Sequence, residues 1–232
     1  NSYGKVAIKN NYCKPIISNN FNKSYLKCNE IRHPIIEKIN TRVDYITNDV
    51  ELSGDKEDGK LIFGPNATGK SCLMKAIGIS IIMAQCGMFV PCSQMIYYPY
   101  KTLFTRILGS DNIFKGQSSF AVEMIEIKTI LDYSDENSLI LGDEICRGTE
   151  DLSALSLVAS LVENLSERKS SFVMTTHLHK LPLLENISSL NNVKSFHLTI
   201  KIENEKVIYL RKIEEGPGDN KYGIEIAKHI VH

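Results

Sequence analysis

The stretch Gly64-Pro65-Asn66-Ala67-Thr68-Gly69-Lys70-Ser71-Cys72 fits Gly-x-x-x-x-Gly-Lys-Ser, a spacing of residue types that holds phosphate. The glycines let backbone N–H groups wrap phosphate oxygens, the Lys70 ammonium meets the β and γ oxygens, and the Ser71 hydroxyl ligates magnesium. Asp143 closes a later apolar run and is followed at once by Glu144. That order suits a carboxylate that reaches the metal through water, beside a second carboxylate that polarises an attacking water. His177 closes the next apolar run, where a γ-phosphate contact is within its reach, although a lone histidine after a strand is more often structural. His179, two residues on, reads as solvent-facing. These residues name ATP and Mg2+ as the expected ligands and hydrolysis as the expected reaction, with Lys70, Glu144 and His177 carrying it.

The elements needed to position these groups are legible around them. Lys60–Phe63 is a short apolar strand running into the glycine loop, and Ser71 to Gly87 carries Leu73, Met74, Ile77, Ile81 and Ile82 at helical spacing. Ser138–Glu144 and Ser170–His177 are compact apolar runs of the buried parallel-strand type, with an amphipathic crossover helix over 153–168 between them. In an open parallel sheet the strand C-termini gather at the ligand crevice, which would bring Ser71, Asp143 and His177 together. Ser118 or Ser119 caps a helix bearing Val122, Ile125 and Ile130; on residue types alone a simple cap outweighs an anion contact there. Val193 to Ile213 reads as a β-hairpin around Glu203-Asn204-Glu205, and a Gly/Pro turn then leads to a final short helix. The charged stretch Ser53–Lys60 reads as a surface turn.

The 232 residues are 43% hydrophobic, enough to build one large core. Twenty-seven basic residues balance twenty-seven acidic ones, so no overall positive field draws the chain to nucleic acid. The six cysteines form no Cys-x-x-Cys pair, which reads as reduced intracellular thiols, with neither a zinc site nor a disulfide framework expected. No apolar run reaches the length of a membrane span and no secretory leader is visible, so a soluble intracellular protein is expected. The start at Asn1, without methionine, suggests a piece of a longer chain.

Taken in order, the motifs resemble one family: the ATPase domain of MutS-type DNA mismatch-repair proteins, which belongs to the ABC class of P-loop ATPases. Arg32–Glu37 (RHPIIE) resembles the family's opening motif, Gly64–Ser71 its Walker A, and Leu103–Ile107 with Gly116–Met124 the segment of its signature serine. Leu141–Thr149 is similar to its Walker B and following loop, Thr175–Leu181 to its histidine switch, and Asn220–Ala227 to its closing motif. The wording of Asp111–Phe120 and Thr176–Leu181 resembles the divergent branch of large DNA viruses and some organelle genomes, and the Asn/Lys/Ile-rich composition fits an AT-rich genome of that sort.

The resemblance implies an α/β fold with a central, mostly parallel sheet flanked by helices and an added antiparallel part. It implies one domain, with 1–59 as an N-terminal part that includes the adenine contact and 60–232 as the ATPase core. Tyr45 takes the place of the aromatic residue that stacks on adenine, and Arg211 either flanks the same base or is a solvated strand residue. Asn66 matches a residue near the γ-phosphate. Ser118 matches the serine that reaches in trans to the partner's ATP, which overrides the simple cap. The partners implied are a second copy of the domain, joined through composite ATP sites, and mismatched DNA held by domains absent from this chain. No Phe-x-Glu mismatch reader, lever-and-clamp helices or helix-turn-helix tail is present.

Departures from the pattern are Ala67-Thr68 for the usual Met-Gly, Cys146 where glycine is commoner, and Glu150–Ala154, whose contacts in trans are thereby in doubt. The expected function is an ATP-hydrolysing motor that couples dimer closure to clamp movement on DNA. The alternatives are a nucleotide-gated dimerisation switch with little hydrolysis, or another ABC-class DNA-associated ATPase. Against the last, its LSGGQ-like signature usually lies just before Walker B, whereas Gly116–Phe120 lies well upstream of Asp143. A small-molecule kinase would need an acceptor site and a lid that are not visible.

Overall fold

The computed structural model describes residues 2–39, 44–107, 119–203 and 206–218. Its first half runs α1 (Ser2–Lys9), β1 (Ile16–Ile17), β2 (Tyr25–Ile31), α2 (Ile36–Ile39), β3 (Asn48–Leu52), β4 (Gly59–Phe63) and α3 (Lys70–Gln85). There follow β5 (Gln94–Tyr98), β6 (Thr102–Arg106), α4 (Ser119–Tyr133), β7 (Ser138–Asp143), α5 (Asp151–Glu167) and β8 (Ser171–Thr175). The short helix α6 (Glu185–Ser188) then leads to the hairpin β9 (Val193–Glu203) and β10 (Lys206–Glu215). Ser118 and the closing motif Asn220–Ala227, with the expected final helix, lie outside the described residues.

The main sheet has the order β10-β9-β4-β8-β7-β6 and is parallel throughout except for the β9–β10 hairpin. Strands β4, β7 and β8 are buried at every position, as continuous apolar runs in a covered parallel sheet must be. A second sheet, β1-β5-β2-β3, is antiparallel except where β1 joins β5. The segment 93–107, which has mixed character in the sequence, supplies one strand to each sheet.

One apolar cluster joins Leu26, Val50 and Met95 of the smaller sheet to Met74, Ile77 and Ile81 of α3 and to Leu139, Leu141 and Val173 of the main sheet. The opposite face of the main sheet packs on α4, α5 and α6 through Phe63, Phe172, Ile130, Val158, Val162 and Ile187. Helix α3 therefore has little free surface, and Gly78 lets it lie close on β7: a Cβ there would stand 2.6 Å from Leu141 Cδ1. Close seating fixes the start of α3, and with it the glycine loop.

The stretch Ser53–Lys60 corrects the surface-turn reading. Its tip at Gly54–Lys56 is exposed, but Glu57, Asp58 and Lys60 are buried. Each has a partner: Lys60 pairs with Glu57 and lies over the Phe196 ring, while Asp58 accepts from Lys23 at 2.5 Å and Asn192 Nδ2 at 3.1 Å. Buried charges are tolerated when paired in this way. Among the described residues no helix is long and apolar enough to cross a membrane.

Candidate nucleotide site

The glycine loop leaves β4 at Gly64 with φ 138° and enters α3 at Gly69 with φ 107°, backbone values that favour glycine. Ala67 also lies in the left-handed region, at φ 66°. The loop is closed internally, with Thr68 Oγ1 donating to Pro65 O at 2.9 Å. Lys70 Nζ reaches back to Gly64 O at 2.7 Å and Pro65 O at 3.1 Å. Burial lowers the Lys70 pKa, and the carboxylates of Glu144 and Asp143 oppose that shift.

The parallel register sets Asp143 of β7 beside Thr175 of β8. Asp143 Oδ1 accepts from Thr175 Oγ1 at 2.6 Å and from Ser71 Oγ at 2.8 Å. Thr175 also holds the next residue, since its Oγ1 and its carbonyl each accept from Glu144 N at 3.1 Å. Glu144 itself adopts φ 49°, a left-handed turn that swings its carboxylate toward the loop. One oxygen, Oε1, meets His177 Nε2 and lies 3.9 Å from Lys70 Nζ; the other, Oε2, accepts from Arg147 Nη1 at 2.7 Å. Lys70, Ser71, Asp143, Glu144 and His177 thus stand together, as their spacing requires.

A cavity of about 290 Å³ opens on one side of the loop and is lined by Tyr45, Asn66 to Leu73, Glu144, Leu198 and Arg211. Tyr45 OH lies 3.5 Å from Cys72 Sγ, and burial raises the pKa of both groups. Arg211 sits in a bulge of β10 at φ 56° and lines this cavity, with Nε buried and without a hydrogen-bond partner among the described residues. Asn48 pins that bulge, donating to Arg211 O at 3.0 Å and accepting from Ile213 N at 2.8 Å. The solvated-strand reading of Arg211 therefore fails. His179 is corrected too: it is half-buried, its Nδ1 is buried, and its ring lies 5.8 Å from that of Phe63.

Sequence reasoning missed Arg147, Thr175 and Asn48. A threonine pair ending an apolar strand was a visible signal for Thr175; nothing local marked Asn48.

The cradle, its strand order and the paired acids at the end of β7 define a P-loop fold of the ABC-ATPase type. The family described as MutS domain V matches residues 60–232. A DNA mismatch repair protein mutS homolog of Acanthamoeba polyphaga mimivirus is 38% identical over 97% of this chain, which covers 23% of that relative. The mitochondrial DNA mismatch repair protein mutS homolog of Sarcophyton glaucum is 41% identical over 98% of the chain and 23% of its own length. The DNA mismatch repair protein MutS of Finegoldia magna is 41% identical over 98% of the chain and 26% of its own length. The chain belongs to the MutS family, and it spans about a quarter of the length of these curated relatives.

Proposed function

We propose that this chain is the ATP-binding and ATP-hydrolysing motor domain of a MutS-like DNA mismatch-repair protein, coupling ATP-driven closure of a dimer to movement of a clamp on DNA. The observation that carries the reading is the pair of hydroxyls on Asp143, from Ser71 at 2.8 Å and Thr175 at 2.6 Å, with Glu144 next in sequence and facing Lys70. The donor set fits Mg2+: a helix-start hydroxyl and a carboxylate, both oxygen ligands, already in contact. Bound there, the ion would neutralise charge on the transferred phosphoryl group.

The chain's own residues do the rest. Lys70 leaves its loop carbonyls to meet phosphate oxygens, as do the N–H groups of 66 to 71 at the start of α3. Glu144 orients water for in-line attack, and His177, on the same carboxylate, senses the γ-phosphate. Tyr45 and Arg211 bracket the base end of the cavity. Ser118 completes the site of a second copy in trans. The mimivirus and mitochondrial relatives support a placement in the viral and organellar branch.

A second reading, the switch with little hydrolysis of its own, is favoured by one observation: both oxygens of Glu144 are engaged, by His177 and Arg147. Steady-state ATP hydrolysis with magnesium, followed against protein concentration for wild type and Ser118→Ala, separates the two. A specific rate that climbs with concentration and falls in the variant supports the motor. A flat rate near zero with tight ATP binding sinks it and leaves the switch.

A further inference from the structure

The turn that aims Glu144 holds two non-glycine residues in the left-handed region, Glu144 at φ 49° and Cys146 at φ 63°. Side chains larger than hydrogen disfavour that backbone, so the surroundings must hold the turn in place. The hold on Cys146 comes from helix α4: Glu123 Oε1 accepts from Cys146 N at 3.0 Å. Glu123 is 7% exposed and Cys146 is fully buried, so this N–H has no water to turn to. Arg106, at the end of β6, steadies the carboxylate, with Nε 3.5 Å from Glu123 Oε1 and 3.1 Å from Glu126 Oε2. One side chain thus joins the first turns of α4, the edge of the main sheet and the turn bearing Glu144.

We propose that Glu123 is a positioning residue for ATP hydrolysis, fixing the backbone turn that aims the Glu144 carboxylate and linking it to helix α4. Glu123 touches neither the glycine loop nor the cavity beside it, so its effect falls on the rate of the chemical step and not on nucleotide binding. Displacement of the first turns of α4 draws on Cys146 N and re-aims Glu144 two residues away. The rate at this site therefore answers to whatever presses on α4. The inference deepens the hydrolase reading and rests on it.

The test uses Glu123→Ala, Glu123→Gln and Glu123→Asp in the intact chain, with three readouts: kcat, equilibrium affinity for a fluorescent ATP analogue, and hydrogen exchange at the Cys146 amide. Glu123→Ala removes the acceptor and is expected to lower kcat roughly tenfold, leave affinity within about twofold and speed exchange. Glu123→Gln keeps an acceptor oxygen and is expected to restore slow exchange and most of kcat. Glu123→Asp keeps the charge but withdraws it by one methylene, so it should behave like the alanine variant; it carries the test if the alanine variant does not fold. The proposal is overturned by full kcat in Glu123→Asp, by parallel loss of affinity and rate, or by a glutamine variant as impaired as alanine. If wild type binds ATP but does not hydrolyse it, the hydrolase reading falls, and the exchange readout alone decides whether Glu123 holds the turn.

Discussion

Thr175 donates a hydrogen bond to Asp143 across adjacent parallel strands, at 2.6 Å, and this short contact sets the direction in which the Asp143 carboxylate faces Ser71. The same threonine hydroxyl accepts from Glu144 N, so one side chain orders both acids. Thr175→Val keeps the shape of the strand and removes both bonds. A buried bond to a carboxylate contributes about 1.5 to 3 kcal/mol, so kcat should fall roughly 10- to 100-fold. Single-turnover hydrolysis and calorimetric ATP binding would check it; an unchanged rate would mean that Asp143 needs no help from β8.

Glu144 and Lys70 should separate cleanly when removed one at a time. Glu144→Ala or Glu144→Gln takes away the carboxylate proposed to orient water and leaves the glycine loop intact, so ATP should stay bound while turnover falls at least about 100-fold. Lys70→Ala removes the ammonium that reaches the loop carbonyls, so nucleotide binding itself should be lost. Filter binding of labelled ATP beside phosphate release reads both. Wild-type turnover in the Glu144 variants would overturn its role, and wild-type affinity in Lys70→Ala would undo the cradle.

Tyr45 offers a test of the proposed base end of the cavity. Ring stacking contributes about 1 kcal/mol, so Tyr45→Ala should weaken ATP binding roughly fivefold, while Tyr45→Phe, which keeps the ring and loses the hydroxyl that meets Cys72 and the His33 backbone, should bind nearly as wild type. Equal weakening by both variants would show that the hydroxyl, and not the ring face, matters.

The cradle was legible because it is local: one loop carries its glycines, lysine and serine, and its flanking strand and helix have plain apolar patterns. Strands β4, β7 and β8 were legible for the same reason, each being short and built on a compact apolar run, Leu61–Phe63, Leu139–Leu141 and Phe172–Met174. What escaped is set by register between distant segments. Thr175 meets Asp143 only because β7 and β8 run parallel in one alignment, and Asn48 meets the β10 bulge across 163 residues of sequence. Asp58 and Lys60 misled because charge in a Gly/Asp-rich stretch reads as surface, whereas the Lys23 and Asn192 that hold Asp58 and the Phe196 ring under Lys60 lie far along the chain. Cys13 and Cys92 show the same limit: far apart in sequence, their sulfurs stand 3.5 Å apart where the N-terminal segment crosses Val90.

Gly59 opens β4 against the ring of Phe172, where an added Cβ would stand 2.0 Å from Cζ. Phe172 is fully buried and cannot swing into solvent. Gly59→Ala should therefore destabilise the fold by about 3 kcal/mol through overpacking. Adding Phe172→Leu should recover part of the loss, read as a urea midpoint between those of the wild type and the single glycine variant. A midpoint no higher than that of Gly59→Ala alone would place the clash elsewhere.

Two histidines predict how stability responds to acid. His33 Nδ1 accepts the N–H groups of Ile35 and Ile36 at 3.3 Å each, a role that needs the unprotonated nitrogen. Burial lowers its pKa below the ordinary 6.5, Lys75 adds to the shift, and Glu37 opposes it. His179 is lowered by burial and by the neighbouring His177 and Lys70. In both cases the unfolded chain takes up protons at a higher pH than the folded one, so stability rises with pH between the two values. The contribution is whole above about pH 6.5 and is lost as the pH falls through the folded-state values. Urea midpoints at neutral and mildly acidic pH should fall for wild type and fall less for the double variant His33→Asn, His179→Asn. The carboxylates common to both proteins respond alike, so the difference isolates the histidines. Equal falls would show that neither ring is held neutral by the fold.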